Sequence, residues 1–293
     1  MKKSKIAIII ISVLLILSVG VNCFLLFADK QPLSWLQSKG FVQETTLGIL
    51  ANSKDFREGE DITIEYDFEN EEYSTLLEKY DIEETAGTGS EFEKAKKLMH
   101  EYSHRIKHSS DVAVSAENMN AQYLLETYLD NKDQGTYCRA KAQILNEMCL
   151  ALKIYSRKIW ILPLSVYDNE CHVVNEIWDS TLEKWVMLDI TNDLYWVDEN
   201  AAPLSMLEVR DKLINGEFCT PVSPDDDLDD LEQIRQNNDY NYTYYVKNLA
   251  ALGYMDSYTV GETKGCYLLP VNYSFENEVS LISREAVERR PYN

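Results

Sequence analysis

The spacing of hydrophobic positions divides the chain into three parts. Residues 6–27 are a continuous run without a charged side chain, residues 90–152 carry apolar positions at helical spacing, and short strand-like segments follow. The first run is long enough to cross a hydrocarbon core of about 30 Å. Three lysines precede it, so the positive-inside rule predicts a cytoplasmic tail at 1–5 and an exported remainder.

A cleaved signal peptide is the alternative to a membrane anchor, because Ser18-Val19-Gly20 fits a small-x-small cleavage site. The apolar run continues past that site as far as Phe27, which favours an uncleaved signal anchor. The sequence therefore predicts a single-pass protein of the cell membrane whose C-terminal domain is extracytoplasmic.

Three helices are predicted in the middle of the chain. Ser90 and Glu93 have the spacing of a capping box, and apolar residues at intervals of three and four follow them. A second helix is expected at about 118–129 and a third at about 138–152. The residues of the third helix expected to face inward are Ala142, Leu145, Cys149 and Leu152.

Strands replace helices in the next part of the chain. The predicted strands are 158–164, 172–178 and 185–189. A symmetric turn at 179–184 would pair Trp178 with Trp185. The same register places His172 diagonally from Asp189 on one face of the sheet. Helices followed by antiparallel strands indicate the α+β class.

The composition is that of a globular protein with an acidic surface. Hydrophobic residues make up 45% and charged residues 26% of the chain, which excludes general disorder. Acidic residues outnumber basic ones 49 to 28, giving a formal net charge of −21. Such a charge repels phosphate backbones, so no nucleic-acid partner is expected.

The strongest candidate for chemistry combines Cys138, His172 and Asp189. A thiol in the first turn of a helix feels the positive end of the helix dipole, which favours the thiolate. A carboxylate at position 189 could hold one nitrogen of the His172 ring and orient the other toward the thiol. The residues alone fit a structural reading equally well, in which the cysteine starts a core stripe and the other two residues merely end strands.

Four segments resemble the core of the transglutaminase-like superfamily. They are CRAKA at 138–142, ALKIYSRKI at 151–159, CHVVNEIW at 171–178 and KWVMLDIT at 184–191. The resemblance covers about residues 90–220. It implies a papain-like fold, with helices packed on an antiparallel sheet, and a catalytic triad of Cys138, His172 and Asp189.

The resemblance also implies a reaction. The cysteine would attack an amide of a protein or peptide substrate, for instance at the cell surface or cell wall. The acyl-enzyme would then pass to water, as in a peptidase or amidase, or to an amine, as in a transglutaminase. No cofactor is expected.

Two positions depart from the family pattern. The family usually has glycine two residues before the cysteine, whereas Gly135 lies three residues before Cys138, and Ile190 stands where proline is common. Because of the first departure, the sequence does not determine which groups form the oxyanion hole. Its expected donors are the backbone N–H of Cys138 and the side chain of Gln134.

These predictions divide the chain into five parts. They are the cytoplasmic tail 1–5, the anchor 6–27, an N-terminal extension 31–89, the transglutaminase-like core 90–220 and a C-terminal extension 221–293 that packs on the core. Five of the six cysteines lie outside the predicted anchor, and the sequence leaves their pairing open. By strand alternation, Cys171 should point away from the site, as a core thiol or a disulfide partner.

Two alternative functions remain. His100-Glu101-Tyr102-Ser103-His104 fits the zinc-protease pattern His-Glu-x-x-His, in which the histidines bind zinc and the glutamate activates water. The pattern is short, and His108 follows His104 too closely for the longer metzincin spacing. We therefore expect a solvated helix face without a metal. The other alternative is an extracellular binding module that keeps the fold without catalysis.

Overall fold

The structure is a computed structural model that describes residues 41–165, 168, 170–273 and 279–292, together with 13, 15 and 17–19. The chain forms two compact units, 1–46 and 47–293, and most of the described residues belong to the second. The predicted tail 1–5 and most of the predicted anchor 6–27 lie outside the described residues. Across the described residues, no helix combines the length and the apolar character needed to cross a membrane.

Helices and short strands alternate along the described chain. The α-helices are α1 (Phe41–Ala51), α2 (Glu72–Lys79), α3 (Ile82–Ala86), α4 (Glu91–Arg105), α5 (Ala121–Tyr128), α6 (Cys138–Ala151), α7 (Met206–Asn215), α8 (Leu231–Asn237), α9 (Asp239–Asn248) and α10 (Arg284–Glu288). The strands are β1 (Glu65–Tyr66), β2 (Ser156–Leu162), β3 (His172–Asp179), β4 (Lys184–Leu188), β5 (Tyr195–Asp198), β6 (Cys219–Val222), β7 (Ala251–Met255), β8 (Ser257–Tyr258) and β9 (Gly265–Leu268).

The central sheet has five antiparallel strands in the order β4-β3-β2-β7-β9. Trp178 pairs with Trp185 across β3 and β4, as the symmetric turn predicted. Strands β7 and β9 come from the chain after residue 220, so the C-terminal part completes the sheet. The architecture is a mixed α/β fold with helices and an antiparallel sheet, in agreement with the predicted class.

The predicted element boundaries are close to the observed ones, and local chemistry sets the ends. The Ser90 hydroxyl accepts a hydrogen bond from the Glu93 N–H (3.3 Å), so α4 begins where the capping signal placed it. The Asn120 side chain caps α5 in the same way through the Tyr123 N–H (2.9 Å). Strand β2 ends at Leu162 and not at 164, because proline follows at 163 and has no N–H for the ladder.

Helix α6 is buried on every side, where the sequence predicted a single inward stripe. All residues from Ala140 to Ala151 are buried, and the helix packs against α2, α4 and α5 as well as against β2 and β3. A helix surrounded in this way must satisfy its polar side chains internally. The Glu147 carboxylate does so by accepting the N–H groups of Ala121 (2.9 Å) and Gly261 (3.0 Å).

A buried ion pair ties the sheet to two peripheral helices. Arg157 on β2 stands opposite Glu176 on β3, and its Nε donates to Glu176 Oε2 (2.8 Å), with both side chains almost fully buried. Arg157 also donates to the Val287 carbonyl (2.7 Å), and Glu176 accepts the Met206 N–H (2.7 Å). The guanidinium lies 3.8 Å from the Trp185 ring. The pair therefore joins β2 and β3 to α7 and α10.

Removing one partner of this pair should cost far more stability than removing both. Arg157→Ala leaves the Glu176 carboxylate buried without its cation, and we expect the free energy of unfolding to fall by about 3–5 kcal/mol. The double variant Arg157→Met/Glu176→Leu should lose much less, because neither charge is left unpaired. Urea unfolding of the full chain, followed by circular dichroism, measures both. A loss under about 1 kcal/mol in the single variant would contradict this account.

Candidate active site

The three residues predicted to form a triad come together at one end of the sheet. Cys138 is the first residue of α6, and His172 is the first residue of β3. Asp189 directly follows β4. The Asn175 side chain on β3 donates to the Ala142 carbonyl on α6 (2.9 Å), which sets the height of the helix along the strand. The packing of α6 on β3 thus brings the start of the helix to the start of the strand.

His172 and Asp189 form a buried pair. The distance between His172 Nε2 and Asp189 Oδ2 is 2.7 Å, and the two residues are 4% and 0% exposed. Asp189 Oδ2 also accepts the Tyr245 hydroxyl (2.6 Å) and the Asn192 amide (2.7 Å). Asp189 Oδ1 accepts the backbone N–H of Thr191 (2.8 Å). A carboxylate with this many donors stays ionised and fixed in orientation.

Cys138 lies close enough to His172 to contribute to the raised pKa of the ring. Since Nε2 is occupied by Asp189, the nitrogen that remains for the sulfur is Nδ1. Cys138 is partly exposed, whereas His172 and Asp189 are buried. The arrangement leaves the thiol as the member of the three that a substrate can reach.

The electrostatics of the pair favour its charged form. Burial alone would lower the pKa of His172, but the charge of Asp189, its hydrogen bond to the ring and the nearby Cys138 raise it to about 10. Burial alone would raise the pKa of Asp189, but the His172 charge and the hydrogen bonds from His172, Tyr245 and Asn192 lower it to about 2. At neutral pH the site therefore holds an imidazolium paired with a carboxylate.

Two residues of the site, Asn192 and Tyr245, were not predicted from the sequence. Asn192 could have been found, because an amide side chain three residues after Asp189 suits a turn that closes on that carboxylate. Tyr245 could not, since it lies on α9, 56 residues beyond Asp189. Its neighbour Tyr244 packs edge-on against the His172 ring at 5.8 Å between centroids. Helix α9 thus covers the imidazole.

Two further titratable groups lie near the triad, the buried Lys141 and the exposed His108. Burial lowers the pKa of Lys141 to about 8, against the opposing charges of Asp189 and Asp193. Its Nζ donates to the Ser103 carbonyl (3.1 Å). Burial also lowers the pKa of His108, and the charge of Lys141 adds to that effect. His108 is nevertheless exposed, as the sequence indicated.

Cys171 was predicted to be a core thiol or a disulfide partner, and both alternatives are wrong. The residue is exposed, and none of the described cysteines is in a disulfide. Strand β3 begins only at His172, so the alternation that would turn Cys171 inward does not reach it. Partial desolvation of the thiol and the nearby Cys138 raise the pKa of Cys171.

The conformation of the loop before Cys138 explains why glycine stands at position 135, three residues before the cysteine. A Cβ at Gly135 would lie 2.6 Å from the Lys107 carbonyl oxygen, so only glycine allows this approach. The next residue, Thr136, donates its N–H to that carbonyl (2.9 Å). Gln134 is exposed, and its N–H donates to Asn131 Oδ1 (3.0 Å). Its role as an oxyanion donor stays a prediction.

The His-Glu-x-x-His segment on α4 does not present its glutamate to the histidines. Glu101 is exposed and hydrogen bonds with Arg105 one turn later (3.5 Å). His100 Nδ1 instead lies 2.8 Å from Asp193 Oδ2. The base that a zinc protease requires is therefore not aimed at its metal ligands.

Comparisons with known proteins add little to this description. No protein-family model matches the chain. No curated protein matches it either. A solved structure from Cytophaga hutchinsonii, provisionally described as a cysteine protease, is similar at 16% identity and a TM-score of 0.34, and the match covers 51% of this chain and 47% of that one. The chain thus spans about half of that structure's length, and a likeness this weak assigns neither fold nor function.

The Asp189 carboxylate should control the titration of His172. In the full chain, the His172 ring should stay protonated through neutral pH and titrate near 10. Asp189→Asn removes the charge that raises this pKa, so His172 should lose its proton at lower pH. NMR titration of ring-labelled histidine measures the change, with His104 as the internal control.

The same shift predicts a pH-dependent stability. A folded-state pKa above the unfolded value near 6.5 stabilises the fold fully below about pH 6.5, and this contribution is lost as the pH rises toward 10. Asp189→Asn should shrink that loss. An unchanged His172 titration in the variant would show that Asp189 is not its cause.

Proposed function

We propose that this protein is a thiol enzyme that acts on amide bonds through an acyl-enzyme intermediate. Cys138 is the nucleophile, His172 the general acid and base, and Asp189 the group that orients the imidazole. The observation that supports this most directly is the buried pair of His172 and Asp189, in which Asp189 lies 2.7 Å from Nε2 of the ring, together with the proximity of Cys138, which contributes to the raised pKa of His172.

In the first half of the reaction, the Cys138 thiolate attacks the carbonyl carbon of a substrate amide. The carbonyl oxygen becomes an oxyanion, and backbone N–H groups at the start of a helix can stabilise such a charge. The Cys138 N–H, with Gln134 in the adjoining loop, fills this role. His172 gives its Nδ1 proton to the leaving nitrogen, so the C–N bond breaks and a thioester remains.

In the second half, an acceptor takes the place of the amine. His172, now neutral, accepts a proton from water or from a primary amine as that acceptor attacks the thioester carbonyl. Collapse of the second tetrahedral intermediate releases the acid or the new amide. The thiolate and the imidazolium are restored. Hydrolysis and amine transfer use the same three residues, so the acceptor alone decides between them.

Tyr245 and Asn192 act through Asp189. Together they occupy the face of Asp189 Oδ2 that His172 does not use. The carboxylate therefore cannot rotate away when the imidazole loses its proton. This keeps the ring in the tautomer that has Nδ1 free to accept the proton from the acceptor.

The fold of this enzyme is transglutaminase-like and papain-like in our proposal. In the four sequence segments that carry the resemblance, Cys138 starts a helix, His172 starts β3 and Asp189 directly follows β4. We further propose that residues 6–27 anchor the chain in the cell membrane, with the domain on the extracytoplasmic side. Its substrates would then be proteins or peptides of the cell surface or wall, and the charge of −21 favours basic ones.

The decisive experiment is labelling of the full chain with iodoacetamide at pH 6. An ordinary thiol with a pKa near 8.5 is almost entirely protonated there. Cys138, as the proposed nucleophile, should be alkylated rapidly, while Cys171, although exposed, should react slowly because its pKa is raised. Mass spectrometry of the digested protein measures both rates.

The proposal also predicts that enzymatic activity depends on Cys138. Cys138→Ala should abolish release of ammonia from glutamine-containing peptides and incorporation of a fluorescent primary amine, with losses of at least about 1,000-fold. The matched variant Cys171→Ser, next to His172 but outside the triad, should keep most of the activity. Equal, slow labelling of Cys138 and Cys171 would refute the catalytic proposal and favour an extracellular binding module on the same fold.

A further inference from the structure

A cluster of metal-ligating side chains lies beside the triad, outside the mechanism proposed above. His100 and His104 are one turn apart on α4 and face Asp193, which belongs to the turn after Asp189. One ligand atom from each of the three residues lies within 4.8 Å of the other two. Two imidazoles at i and i+4 on a helix with a carboxylate opposite are a donor set that can surround one ion.

The tautomer of His104 is set by its own helix. Its Nδ1 donates to the His100 carbonyl (2.7 Å), so its Nε2 carries the lone pair. That Nε2 lies 3.9 Å from Asp193 Oδ2. A backbone carbonyl that holds the second ring nitrogen is the usual way in which a protein orients a metal-binding histidine. His104 is therefore already oriented as a ligand.

One carboxylate oxygen of Asp193 is buried without a hydrogen-bond partner among the described residues. Its Oδ2 lies 2.8 Å from His100 Nδ1, but its buried Oδ1 has no hydrogen-bond partner in the part of the chain that the structure describes. A buried carboxylate oxygen left unpaired costs free energy unless a cation or water satisfies it. Asp225 adds a second carboxylate, with Oδ1 3.7 Å from His100 Nε2. The charge of Asp193 in turn acts on the buried Lys141, whose pKa it raises against the effect of burial.

We propose that His100, His104 and Asp193 bind one divalent transition-metal ion of the Zn²⁺ class. Two imidazoles and one carboxylate suit zinc, copper or nickel, whereas calcium and magnesium require a shell of oxygens. Asp225 is placed to supply a further oxygen. Glu101 points away toward Arg105, so this ion is not the centre of a zinc protease.

The position of the site indicates what the ion does. Asp193 lies in the turn 189–194, which is closed by the hydrogen bond from the Asp189 N–H to the Leu194 carbonyl (2.8 Å). Within that turn, Asn192 holds the Asp189 carboxylate. An ion bound by α4 and Asp193 therefore fixes the turn that orients the triad to the neighbouring helix. It stabilises the fold and positions Asp189 without touching the substrate.

Isothermal titration of the full chain with ZnCl₂ tests the site. The titration uses a Cys138→Ser background, so that zinc cannot bind the candidate active-site thiolate. We expect one zinc per chain, a higher melting temperature in its presence, and no response to MgCl₂. His104→Ala and Asp193→Asn should weaken zinc binding by more than the roughly 10–100-fold that loss of an orienting group costs. The His104 side chain is 62% exposed, so its replacement leaves the core intact.

Two controls separate this site from its alternatives. His108→Gln removes a histidine of the same segment that lies outside the cluster, and Glu101→Gln removes the base of the zinc-protease pattern. Neither should change the zinc affinity. Co²⁺ should give a visible spectrum typical of a nitrogen and oxygen site, which His104→Ala abolishes. Absence of binding, or binding that survives both ligand variants, would refute the proposal and leave His100 and Asp193 as a plain hydrogen-bonded pair.

Discussion

The site depends on one physical constraint, the ionised carboxylate of Asp189 in a place without solvent. A buried charge of this kind is stable only when donors surround it. Those donors come from three separate parts of the chain: His172 at the start of β3, Asn192 in the adjoining turn and Tyr245 on α9. Satisfying the carboxylate therefore draws together β3, the turn after β4 and α9. The raised pKa of His172 is a consequence of the same charge.

Local patterns predicted the parts of the site that neighbouring residues determine. The polar turn between β3 and β4 set the register that pairs Trp178 with Trp185, and this register brings His172 and Asp189 to one face. The capping signal at Ser90 likewise marked the start of α4. In these cases the interacting residues lie within one hairpin or one helical turn. Their contact can therefore be predicted from their spacing in the sequence.

Contacts between residues far apart in the sequence could not be predicted from such local patterns. The burial of α6 on all sides depends on helices and strands that surround it, and its polar residues gave no sign that Glu147 would be satisfied by Ala121 and Gly261. Tyr245 is one of nineteen tyrosines, and nothing in its neighbourhood marks it as a partner of Asp189. The prediction for Cys171 is wrong because this residue precedes β3, so the alternation of side chains along the strand does not apply to it.

The chain after residue 220 contributes to the site as well as to the sheet. Strand β7 pairs with β2, next to the strand that begins with His172, and α9 immediately precedes β7. The Tyr245 hydroxyl can reach Asp189 only because that pairing holds α9 over the imidazole. A segment limited to residues 90–220 would contain Cys138, His172 and Asp189, but Asp189 Oδ2 would lose a buried donor at 2.6 Å. The orientation of the imidazole is thus a property of the sheet completed by its C-terminal strands, and the catalytic unit that we propose extends beyond the residues that carry its chemistry.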